Sequence, residues 1–70
     1  MRSVIINRVQ HFRTEKKMTQ EELGLAVSVT RQTIIAIEKG HYTPSVSLAL
    51  KLAHFFKTSV EHMFSVEEEL

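Results

Sequence analysis

Residues 19–40 read TQEELGLAVSVTRQTIIAIEKG, and two helix starts and one break can be located inside them. Thr19 with Glu22 three places later is a capping box: the hydroxyl takes the amide of the third helical residue, and the carboxylate reaches back to the cap amide. It stands directly before Leu23, Ala26 and Val27, apolar positions at helical spacing. Ser28, Val29 and Thr30 then break the helix with two β-branched residues and a hydroxyl able to cap a second one. In that second helix Ile34 and Ile37 recur until Gly40 closes it. The stretch predicts two short helices joined by a tight turn, the unit that lays its second helix into the DNA major groove.

Outward from this unit, residues 1–6 (MRSVII) are β-prone, and Asn7 is the expected N-cap of a first helix running to about Lys17, with Val9 and Phe12 facing the core. Residues 40–44 (GHYTP) form a loop, and Ser45 caps a fourth helix whose apolar stripe is Leu48, Ala49, Leu52, Ala53 and Phe56. Ser59 opens a short fifth helix carrying Val60, Met63 and Phe64. The tail at 65–70 (SVEEEL) is expected to form a strand, with Phe64 and Val66 sharing a face. No repeat, low-complexity segment or linker divides the chain, so residues 1–70 are expected to be a single domain, with the paired helices at 19–40 and a dimerisation segment at 55–70.

Composition narrows the function. Seventy residues, 43% of them hydrophobic, suffice for one small core, although a chain this short buries only about 60% of its unfolded surface and is marginal alone. The absence of cysteine removes disulfides and thiolate metal sites and suits a reducing cytoplasm. The four histidines (His11, His41, His54, His62) fall in no ligand spacing, and the chain has no aspartate, so no metal site, cofactor or catalytic residue is expected. No apolar run approaches the roughly 18 residues of a membrane span, so a soluble cytoplasmic protein is expected, associated with the nucleoid. The net charge of +1 hides an asymmetry: residues 1–57 hold all nine Lys and Arg against four Glu, net +5, while residues 58–70 hold four Glu, net −4. A basic body with an acidic end fits a polyanionic partner of modest electrostatic strength.

On the second helix of the pair, at about 100° per residue, Ile34 and Ile37 point inward with Glu38 beside them. Gln32, Ala36 and Lys39 then fall on the opposite face, flanked by Arg31, Thr33 and Ile35. Glutamine can pair with adenine, arginine with guanine, and an alkyl group can touch a thymine methyl, so this face is equipped to read bases.

These residues resemble the helix-turn-helix of the phage-repressor (Cro/C1, or XRE) family of transcription regulators. The likeness rests on TQEEL, VTRQTI and IEKG and continues through TPSVSLALKLA to SVEHMF, so that it covers roughly residues 7–64. It implies an all-α, five-helix DNA-binding domain acting as a homodimer, to which the sequence adds a small two-stranded sheet made by the two ends of the chain. The resemblance also implies roles: base contacts from Thr30, Arg31, Gln32 and Ala36, and a phosphate contact from Gln20. Lys39, Tyr42 and Thr43 are further phosphate candidates in the loop after the reading helix. An ion pair between Arg13 and Glu38 is implied as well, fixing the first helix to the reading helix. The chain departs from the family at three places: Ser28 where glycine usually turns the chain, Gly24 where alanine usually packs, and Lys57 where glycine often ends the fourth helix.

Phe55, Val60, Met63, Phe64 and Val66 exceed what one small core can bury beside the fourth-helix stripe, so they are expected to form a two-fold dimer interface. The expected function is a homodimeric repressor binding a double-stranded, pseudo-palindromic operator, with no membrane or small-molecule partner. The alternative is an antitoxin or other protein-interaction module built on the same fold. The two substitutions that restore the family pattern in the turn, Ser28→Gly and Gly24→Ala, are both expected to stabilise the fold.

Overall fold

The computed structural model describes residues 2–69 in the order β1 (Arg2–Asn7), α1 (Val9–Glu15), α2 (Gln20–Ala26), α3 (Arg31–Glu38), α4 (Val46–Phe55), α5 (Val60–Met63) and β2 (Phe64–Glu69). Met1 and Leu70, at the outer ends of the expected strands, lie outside the described residues. Five helices and one antiparallel pair of strands make a mostly helical domain. The register sets Ile5 opposite Val66 and Asn7 opposite Phe64, so the alternation of side chains puts Ile5, Phe64 and Val66 on one face.

Hydroxyl caps start four of the five helices. Thr19 accepts from the Glu22 amide at 3.0 Å while the Thr19 amide donates to the Glu22 carboxylate at 2.8 Å, completing the capping box. Thr30, Ser45 and Ser59 accept from the amides of Thr33, Leu48 and His62. Each cap satisfies an amide that the helix itself cannot, worth about 1 kcal/mol.

Helix α1 is the exception and corrects the reading of Asn7. Its N-cap is Arg8, which makes no side-chain cap bond, and the helix stops at Glu15. Asn7 belongs to β1, from which its Oδ1 accepts the Val9 amide at 3.2 Å and its Nδ2 donates to the Ile37 carbonyl at 2.9 Å. Asn7 therefore still satisfies the first amide of α1, from one residue before the N-cap position, and also ties the sheet to the last turn of α3.

The core draws on every helix: Val9, Leu23, Ile34, Ile37, Leu52 and Met63 are fully buried, with Val27, Leu48 and Phe56 closing around them. Each such side chain contributes roughly 1.5–3 kcal/mol of burial free energy. The expected stripe of α4 is buried throughout, and Phe12 packs on Phe56 with ring centroids 5.6 Å apart. Met63 corrects the expected interface: at 0% exposure it is core and has nothing to offer a partner.

The turn between α2 and α3 places Ser28 at φ 64°, a left-handed conformation in which the Cβ is strained. Lys57 after α4 and Lys17 after α1 share it, both at φ 57°. Gly24 does not behave as its family counterpart suggests. A Cβ there would stand 2.7 Å from the Val29 carbonyl oxygen, which is backbone and has no rotamer by which to give way. The glycine lets the chain after the turn approach α2 closely, so the expected benefit of Gly24→Ala is reversed.

Candidate nucleic-acid interface

The face built on α3 follows from the burial of its other side. Ile34 and Ile37 are wholly enclosed, which fixes the helix rotation, and the residues offset from them are left outward. Arg31, Gln32 and Lys39 are exposed, while Thr33, Ile35 and Ala36 are half-buried. Thr30, extended at φ −76° and ψ 160°, is both the cap and the first residue of this surface. Its hydroxyl lies 3.2 Å from that of Thr33, so the two threonines share hydrogen-bonding capacity at the entrance to the helix.

Behind this surface is the ion pair. Arg13 Nε donates to Glu38 Oε2 at 2.7 Å and Nη2 to Oε1 at 3.1 Å, while Nη1 donates to the Met18 carbonyl at 2.8 Å. The side chains are 12% and 4% exposed. Hydrogen bonding to Glu38 pushes the Arg13 guanidinium above its ordinary value; burial opposes the shift and the Glu38 charge adds to it. A raised arginine stays protonated at every pH below the strongly alkaline range, so this contribution to stability is present throughout neutral pH. The guanidinium fork thereby joins α1, the chain entering α2 and the end of α3.

Gln20, the first residue of α2, is half-buried, and its Nε2 donates to Glu38 Oε1 at 3.1 Å. The family resemblance implies a phosphate contact for Gln20; the bond to Glu38 spans 18 residues and leaves no local signature in the sequence. Tyr42 and Thr43 are exposed in the loop after α3, Tyr42 at 46%. Among the described residues no group of three or more His, Cys, Asp or Glu is placed to hold a metal ion.

The expected interface residues separate. Phe55 packs against the core and Phe56, with Lys16 Nζ 5.3 Å from its ring centroid, and does not line the groove that holds Val60 and Phe64. Val60 and Phe64 line an open groove of about 960 Å³ between α4, α5 and the sheet, which also takes in Ile5, Val46 and Leu50. Val46, Leu50 and Val66 are 77%, 56% and 61% exposed. The missed residues had a signal: seven of the ten residues of α4 (VSLALKLAHF) are apolar, more than one buried stripe holds, and Val46 and Leu50 stand four apart on a second.

A helix-turn-helix family model matches residues 9–63. An uncharacterized HTH-type transcriptional regulator of Methanocaldococcus jannaschii is 46% identical over 63 residues, covering 90% of this chain and 96% of the relative. The uncharacterized HTH-type regulator YgzD of Bacillus subtilis is 49% identical over 63 residues, with the same 90% and 96% covered. The crystal structure of the P22 c2 repressor in complex with a synthetic operator superposes with a TM-score of 0.76 at 25% identity, over 79% of this chain and 83% of that one. No helix among the described residues is long and apolar enough to cross a membrane. With the matched segment running from the start of α1 to the end of α5, the chain belongs to the helix-turn-helix family of phage-repressor-like (Cro/C1, XRE) transcriptional regulators.

Proposed function

We propose that the chain is a DNA-binding transcriptional regulator in the cytoplasm, a homodimeric repressor that reads a pseudo-palindromic operator through α3 and occludes a promoter. The observation that carries this is the exposed row of Arg31, Gln32 and Lys39 on a helix whose other face is fully buried and braced by the Arg13–Glu38 pair. Base readout needs donors and acceptors held in fixed register, and a helix locked on one side provides it. Thr30, Arg31, Gln32 and Ala36 meet base edges; Gln20, with Lys39, Tyr42 and Thr43, meets phosphates and sets the register. That an operator-bound repressor shares the fold at a TM-score of 0.76 supports this docking.

Dimerisation is assigned to the groove face, with Val60, Phe64 and Val66 kept from the sequence reading and Ile5, Val46 and Leu50 added. Ile5, Val46, Leu50, Val60 and Phe64 line one groove, and Val66 stands opposite Ile5 on the same sheet face, an apolar surface that a two-fold axis can bury against itself. The same exposed surface favours a second reading, a module that binds a different protein, such as a toxin.

Selection from a random DNA library distinguishes them. Enrichment of a pseudo-palindrome with half-site centres about 34–36 Å apart is expected. Recovery of no motif, together with a monomeric chain, would overturn the operator reading in favour of a protein partner.

A further inference from the structure

We propose that Glu38 is a positioning residue that selects the amide orientation of Gln20, so that Gln20 meets the DNA backbone as a hydrogen-bond donor. The inference rests on the phosphate contact proposed for Gln20. A primary amide has two ends of nearly the same shape and opposite chemistry, one accepting and one donating two hydrogens. A phosphodiester offers only acceptors, so just one of the two flips makes a favourable contact, and a freely turning side chain loses entropy on adopting it.

The Glu38 carboxylate makes that choice before DNA arrives. It too has only acceptors, so it takes the nitrogen end of Gln20, and Nε2 donates to its Oε1 at 3.1 Å. One N–H is then engaged and the other is aimed away from Glu38 by the planar geometry of the same nitrogen. The carboxylate is itself held: Arg13 grips both of its oxygens at 2.7 and 3.1 Å, and the group is only 4% exposed, so water competes weakly for it. Arg13 also donates to the carbonyl of Met18, two residues before Gln20, which fixes the backbone from which the glutamine projects. A partly buried ion pair that braces the scaffold thus also orients a side chain at the surface.

The test measures affinity for the duplex recovered by selection, using wild type, Glu38→Gln, Gln20→Ala and the double variant. Glutamine at 38 keeps the shape and can still accept from Arg13, but it removes the acceptor-only partner that fixes the flip. Glu38→Gln is expected to weaken binding about two- to tenfold in the wild-type background, the scale of ordering one side chain on binding, and to change it little once Gln20 is alanine. Equal loss in both backgrounds would make Glu38 a scaffold residue alone and overturn the inference. A Gln20→Ala variant that binds as wild type would instead overturn the phosphate contact beneath it.

A measurement on the unmutated protein stands if Glu38→Gln does not fold. In the side-chain amide spectrum of free protein, one Gln20 proton should exchange slowly with solvent and the second should slow only when the duplex is added. Free exchange of both protons before DNA is added would overturn the proposal.

Discussion

Gln20 and Gln32 carry the same side chain into different surroundings, and binding data should separate them. Gln32 is exposed on the outer face of α3, the face proposed to meet bases, whereas Gln20 is half-buried beside Glu38 at the start of α2. Gln32→Ala is expected to cost roughly 1–3 kcal/mol on the operator and relax preference at one base pair per half-site, while Gln20→Ala should weaken all sequences alike. Titrations of both variants on operator and on scrambled duplex check this; equal losses on the two duplexes for Gln32→Ala would remove it from base readout. The residues most legible in sequence were those whose partners lie within one turn of helix. Thr19 with Glu22, Thr30 with Thr33 and Ser45 with Leu48 follow from spacing alone. For Asn7 the bond to the Val9 amide is local, whereas the bond to the Ile37 carbonyl, 30 residues away, has no local pattern to announce it.

The turn between α2 and α3 turns on two small residues whose replacements should act in opposite directions. Ser28 at φ 64° carries a Cβ that this conformation disfavours, so Ser28→Gly should stabilise the fold by about 1 kcal/mol. Gly24→Ala should destabilise it by about 1–3 kcal/mol, because the added methyl meets the Val29 carbonyl oxygen at 2.7 Å and either the turn or α2 must move. Urea midpoints at fixed protein concentration read both, and stabilisation by Gly24→Ala would show that the turn is looser than its geometry. Helix propensity and the family pattern both pointed to alanine at residue 24. The close approach of residues 29 and 30 is a tertiary fact, and it overrides a local preference. At α4 the buried stripe was legible from its spacing, but the second stripe through Val46 and Leu50 is recognised only once the first is seen to fill the core.

At the scale of the whole molecule, the Arg13–Glu38 pair braces α3, and an exposed apolar groove lies between α4, α5 and the sheet. Arg13→Met leaves the Glu38 carboxylate, 4% exposed, without its cation, and should cost about 3–5 kcal/mol in urea unfolding. A loss below about 1 kcal/mol would put the pair in the class of solvated surface bridges. Leu50→Glu places charge in the groove and Val66→Glu places it beside the groove on the sheet, so each should shift sedimentation toward monomer and weaken operator binding while leaving the fold intact. Unchanged sedimentation with unchanged binding would take the dimer off this face. The most direct test of DNA recognition itself is an anisotropy titration of the protein on the DNA upstream of its own gene and on a scrambled duplex, across a series of salt concentrations. The expected result is tighter binding to the upstream duplex, with log affinity falling linearly with log salt on both. Equal affinity for the two duplexes, or no binding to either at low salt, would contradict it.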